Sequence, residues 1–217
     1  MNRSIQAFAF AIILLGLTAT RARAGAIITL DDVTVAPGGM GTMDITVTSD
    51  SSDTLSAFGL ELQITPVSAA SVLQFTTSQP DPYGNSNYVF YNESFNADNG
   101  SIPFWNVSSP PSPFLTILGG DSDDSNQGYV SIPSTPGGSR TYLATVQFQA
   151  PQGATQGDTF QISLVNDPNF TYFAYDQNYD LLNYTSTGGT VMISSVPEPS
   201  SLTVVALCGL SGLLWYC

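Results

Sequence analysis

Phe58-Gly59-Leu60-Glu61-Leu62-Gln63-Ile64 is the stretch whose reading decides the fold. In an extended chain successive side chains point to opposite faces, so Phe58, Leu60, Leu62 and Ile64 share one side and Gly59, Glu61 and Gln63 the other. A helix would scatter the same apolar residues around its circumference. The stretch therefore reads as a strand with one buried and one wet face, as in an antiparallel sheet packed on one side.

The same alternation recurs on either side of it. Upstream, Ile27–Val35 runs into the turn Pro37-Gly38-Gly39, and Thr42–Thr48 sets Met43, Ile45 and Val47 on one face. Downstream come Val72–Phe75, Tyr88–Tyr91, Ile102–Val107 and Tyr129–Ile132, then Tyr142–Ala150 with Ala144, Val146 and Phe148 together. Phe160–Leu164 follows the Gly157-Asp158 turn, and Thr171–Tyr175, Leu181–Tyr184 and Thr190–Ile193 close the series. Gly, Pro, Asn and Asp punctuate these runs, Asn99-Gly100 most clearly. About ten short strands with no helical spacing between them predict an all-β chain, a single antiparallel β-sandwich over residues 25–195.

Each end carries a different signal. Residues 1–24 hold Arg3, an apolar run from Ile5 to Leu17 and an Ala22-Arg23-Ala24 site before Gly25, the pattern of a signal peptide for export. At the other end, Val196-Pro197-Glu198-Pro199 cannot continue a strand or helix, because each proline fixes φ and removes a donor. Beyond it an uncharged apolar run from Leu202 to Cys217 would reach about 24 Å as a helix, somewhat short of a bilayer core. This short hydrophobic helix would meet the membrane at least transiently. Residues 196–217 resemble the PEP-CTERM sorting signal of exported bacterial proteins, with Val196, Pro197, Glu198 and Pro199 as the motif. That signal usually ends in arginines, where this chain ends Trp215-Tyr216-Cys217. The resemblance implies processing by an exosortase-like enzyme and a place in the cell envelope, on the cell surface or in the extracellular matrix of a bacterium.

Composition narrows the chemistry. Three of the four basic residues (Arg3, Arg21, Arg23) precede residue 25 and Glu198 is in the tail, so the central segment sets Arg140 alone against sixteen acids, a net −15. Such a surface repels nucleic acid and favours cations or cationic partners. Histidine and lysine are absent between residues 25 and 195, and the two cysteines, Cys208 and Cys217, lie in the tail. The usual general base and two common nucleophiles are thus missing, and a non-enzymatic role is expected.

Val33-Thr34-Val35-Ala36-Pro37-Gly38-Gly39 and Phe58-Gly59-Leu60-Glu61-Leu62 resemble the opening of cohesin-type domains. Leu143-Ala144-Thr145-Val146-Gln147-Phe148, Gly157-Asp158-Thr159-Phe160 and Gly189-Thr190-Val191 resemble their later strands. The resemblance implies a cohesin-like jelly roll. Cohesins bind dockerin modules on one sheet face, which gives a remote analogy for a protein partner.

Several constellations compete for function. Asp121, Asp123, Asp124 and Asn126 crowd hard oxygen ligands into one segment and are candidate calcium ligands, although a solvated acidic loop is the simpler reading of them. Asp176-Gln177-Asn178-Tyr179-Asp180 starts like a calcium loop, but Leu181 and Thr187 stand where glycine and a bidentate glutamate belong, so a hairpin turn is the simpler reading. Tyr83, Tyr88, Tyr91 and Trp105, in an aromatic region spanning 83–114, are candidates for stacking on sugar rings, against the alternative that such rings pack in the core. Glu61 and Glu93 could serve as a glycosidase pair only if the fold joined them. The expected role is adhesion, or structuring of an exopolysaccharide or biofilm, through polysaccharide or another surface protein, with a carbohydrate-binding module as the alternative.

Overall fold

The computed structural model describes residues 25–51, 53–100, 102–106, 115–125, 128–175 and 180–194. The expected signal peptide, the 196–217 tail with its sorting motif, Asn126, and residues 176–179 lie outside them. The described strands begin with β1 (Ala26–Leu30), β2 (Val33–Val35), β3 (Met40–Ser49), β4 (Thr54–Leu55) and β5 (Ala57–Pro66). β6 (Gln74–Phe75), a four-residue helix α1 (Phe95–Asp98), β7 (Trp105–Asn106), β8 (Thr116–Ser122) and β9 (Val130–Ser131) follow. β10 (Tyr142–Gln149), β11 (Thr159–Leu164), β12 (Tyr172–Ala174), β13 (Tyr184–Thr187) and β14 (Gly189–Ile193) complete the chain.

These strands form a β-sandwich. One sheet runs β13-β1-β3-β10-β6, and the other runs β2-β14-β11-β5-β8-β7 with β12 also on β5. β4 and β9 make a small separate ladder. The inward residues of both sheets meet in one apolar cluster, in which Phe58, Leu60, Leu62, Ile28, Ile45, Val146, Phe148, Phe160 and Ile162 have no exposed surface. Phe58 sits among aromatics, its ring centroid 5.7 Å from Phe90, 5.8 Å from Phe104 and 6.3 Å from Phe173.

The fold departs from the sequence expectation in three ways. The expected strand Ile27–Val35 breaks at Asp31-Asp32, and its halves β1 and β2 join different sheets. Its pairings are also not all antiparallel, because β1 runs parallel to β13 and β2 parallel to β14. The third departure lies in the middle of the chain. Tyr88–Tyr91 is a series of turns with a single bridge to Tyr142, whereas Thr116–Ser122, where no strand was expected and whose last two residues open the acidic segment, is β8 and pairs along β5.

That middle segment closes an edge. An unpaired strand edge invites pairing with another chain. β6 covers only Phe148 and Gln149 of β10. The Gln79 side chain does the rest at Gln147, accepting from its N–H at 2.7 Å and donating to its carbonyl at 2.7 Å. Trp105 Nε1 donates to the Thr145 carbonyl at 3.1 Å, and Val89 N–H donates to the Tyr142 carbonyl at 2.9 Å. Side chains and isolated backbone N–H groups, among them Thr76 N–H on the Gln147 carbonyl at 3.1 Å, thus imitate a missing strand.

Candidate functional site

Closing that edge decides the fate of the aromatic candidates. Tyr88 is 0% exposed and Trp105 2% exposed, so neither ring is open to a ligand. The stacking platform expected of Tyr83, Tyr88, Tyr91 and Trp105 is corrected accordingly. Tyr88 and Trp105 are core, and Tyr83 and Tyr91 are partly buried against it. The Tyr83 hydroxyl donates to the Ile102 carbonyl at 2.8 Å, and burial pushes both the Tyr83 and the Tyr88 hydroxyls well above the usual tyrosine range.

The acidic candidates separate in a similar way. Asp121 lies on the inward side of β8 opposite Phe58 and is 7% exposed. One of its oxygens accepts from the Tyr88 hydroxyl at 2.7 Å and the Ser94 hydroxyl at 2.5 Å. The other accepts from the backbone N–H of Asn96 at 3.1 Å and of Ser122 at 2.8 Å. Burial raises its carboxyl above the ordinary value, and the four donors pull it partly back. With four internal donors, Asp121 is a structural hub rather than the calcium ligand expected. Asp123 accepts from the hydroxyl and N–H of Ser125 at 2.6 and 3.1 Å, and Asp124 is exposed. Among the described residues, no three acidic, cysteine or histidine side chains gather as a metal set would.

The remaining pairs also resolve. On either side of residues 176–179, Ala174 and Leu181 form an antiparallel bridge. Glu93 forms an ion pair with Arg140 at 2.5 Å, and Glu61 lies on the outer face of β5, so the two are engaged in different surroundings. One Glu61 oxygen is buried without a hydrogen-bond partner, and its carboxyl is raised by burial and by Asp167.

What the structure does assemble is a cleft on the outer face of the larger sheet. On one edge of β5, β12 pairs with Ala57–Gly59 and β11 with Leu62–Pro66. Between them Glu61 has no strand partner on this side, and the connecting loop supplies one. The Thr171 hydroxyl accepts from Glu61 N–H at 3.1 Å, and Val165 N–H donates to the Glu61 carbonyl at 2.8 Å. The same loop is stiffened by Asp167, whose side chain accepts from the N–H and the amide of Asn169 at 2.9 and 2.8 Å. Its carbonyl accepts from the N–H groups of Phe170 at 3.0 Å and Thr171 at 2.7 Å.

That turn stands Phe170 out at 47% exposure beside the sheet. Gly59 and Gly120 face each other across β5 and β8, and Tyr172 pairs with Gly59 on the other side. A Cβ on Gly59 would lie 2.6 Å from the Tyr172 ring, and one on Gly120 would lie 2.6 Å from the Phe58 carbonyl. Only glycine lets ring and backbone come this close. The result is a cleft of about 240 Å³ lined by Phe170, Tyr172, Asn169, Asn106, Leu118 and Pro103 over the glycines, with no charged residue in its lining. Sequence reasoning placed Tyr172 on a strand but did not see the cleft. The available signal was two outward glycines in a chain otherwise alternating with larger residues.

This architecture is similar to that of solved cohesin modules. The third ScaB cohesin of R. flavefaciens, solved in complex with a group 1 dockerin, matches at a TM-score of 0.52 and 15% identity over 81% of this chain and 99% of that one. The third ScaC cohesin of Acetivibrio cellulolyticus, solved in complex with a ScaB dockerin, matches at 0.50 and 14% identity over 78% and 99%. The fold is therefore a cohesin-like β-sandwich. No protein-family model and no curated protein matches the chain.

Proposed function

We propose that this chain is an exported, non-catalytic recognition module of a bacterial cell surface or extracellular matrix, acting in adhesion or in structuring extracellular polymer. The observation that carries the reading is the pairing of a complete cohesin-like sandwich with a preformed, uncharged cleft on its outer sheet face. Glu61 and Glu93 have separate surroundings, and the domain lacks histidine and lysine, which leaves little to move protons in a reaction. The Val196-Pro197-Glu198-Pro199 tail and the residue 1–24 leader support delivery outside the cytoplasm, with an exosortase-like enzyme as processing partner.

Intact-mass measurement on protein recovered from the producing cell's envelope or matrix tests the reading. The expected species begins at Gly25 and ends near the proline motif. Protein found only in the cytoplasm with residues 1–24 in place would overturn it. A second reading, binding of another protein module, draws on the two solved cohesins, both of which are complexes with dockerins. Pull-down of a protein partner that survives removal of all polysaccharide would favour it.

A further inference from the structure

We propose that the cleft over Gly59 and Gly120 is a binding site for a neutral glycan, one or two sugar rings at a time, with Phe170 as the stacking surface and the amides of Asn106 and Asn169 contacting hydroxyls. This rests on the recognition reading above and names the ligand class for it.

Shape is the first argument. A cleft of about 240 Å³ falls just below the roughly 300–1,000 Å³ of sites for drug-sized ligands. A stable protein interface instead removes roughly 800 Å² from each partner, so the cleft alone is too small to be one. A peptide joining as an extra strand needs a free edge, and this cleft lies on a sheet face.

Chemistry is the second. A pyranose ring offers one apolar face and a rim of hydroxyls, which suits an aromatic surface flanked by amides. Here Phe170 and Tyr172 lie on one side and Asn106 with Leu118 on the other. No cation lines the cleft, and the domain carries sixteen acids, so uronate, sulfate or phosphate groups would meet repulsion with nothing to pair with.

Preorganisation is the third. A large apolar ring 47% exposed is held on a turn closed by four hydrogen bonds to Asp167. Binding there therefore needs little ordering of the backbone that carries the ring.

Affinity electrophoresis of the full chain tests the site. The probes are the neutral polysaccharide fraction of the producing bacterium's own matrix, hydroxyethylcellulose, a galactomannan and, as an anionic control, alginate. At least one neutral polymer should retard the protein and alginate should not. Phe170→Ala should weaken retardation at least tenfold with an unchanged melting temperature, whereas Phe170→Trp should keep it. Retardation by none of the neutral polymers, or equal retardation of Phe170→Ala and wild type, overturns the proposal. Retention of the protein on whole matrix is scored in parallel. If it persists without polysaccharide binding, only the glycan assignment fails; if it too is absent, the recognition reading fails with it.

Discussion

Replacing Asp121 by alanine should lower the melting temperature by about 4–12 °C. The substitution leaves four donors behind: the hydroxyls of Tyr88 and Ser94 and the N–H groups of Asn96 and Ser122. The hydroxyls can rotate toward other acceptors, but the two backbone donors are fixed. Each buried donor left unsatisfied costs about 1–3 kcal/mol, with the lower half applying here because Asn96 and Ser122 are only partly buried. A further cost arises at Ser94, whose hydroxyl also accepts from Ala97 N–H at 3.0 Å as the N-cap of α1 and loses the contact that orients it.

Against these stands a gain, since the buried carboxylate no longer has to be desolvated. The balance is about 2–3 kcal/mol, and at about 2–4 °C per kcal/mol for a domain of 150–250 residues it gives the stated shift. Asp121→Asn keeps the shape and should cost about half as much, because its amide oxygen still accepts from the Asn96 and Ser122 N–H groups while its NH2 donates to the Tyr88 and Ser94 hydroxyls once these turn. Thermal unfolding of the full chain by circular dichroism provides the measurement. A shift under 2 °C for Asp121→Ala would refute the hub. A melting temperature raised several degrees by millimolar calcium in the wild type but not in Asp121→Asn would show that Asp121 serves a cation instead.

Three other predictions follow from the same geometry. Gln79→Ala should cost about 1 kcal/mol by baring the N–H of Gln147, whose carbonyl keeps the Thr76 N–H at 3.1 Å, and should increase concentration-dependent association; a urea midpoint and light scattering identical to wild type would dismiss the edge cover. Gly119→Ala should destabilise by about 1–3 kcal/mol, because the new methyl would meet the Trp105 ring at 2.5 Å; an unchanged urea midpoint would mean that the Trp105 ring yields. Burial raises the carboxyls of Asp121 and Glu61, so each keeps its proton in the folded chain where the unfolded chain has released it. Their contribution is full below the unfolded values of 3.8 and 4.5 and lost as pH rises through the folded ones. The urea midpoint should therefore rise as the pH is lowered towards those unfolded values, and a fall over that approach would contradict the assignment.

The amino-acid sequence by itself determined the β class and the inward face of the long strands. Side chains alternate with a period of two, and β3, β5, β10 and β11 carry enough apolar residues for that period to show. Length and pattern failed together in the short strands. β6, β7 and β9 have two residues each, too few for any alternation. β8 was hidden because two of its positions are glycine and one is a buried aspartate, and each is explained only by a residue distant in sequence. Trp105 fills the space at Gly119, the Phe58 carbonyl crowds Gly120, and Tyr88 and Ser94 donate to Asp121. The tertiary structure alone decided that the central aromatics would seal an edge and that Phe170 would stand free beside a glycine floor. Burial belongs to the strand a ring packs against, and that partner was not legible from the residues adjacent to it.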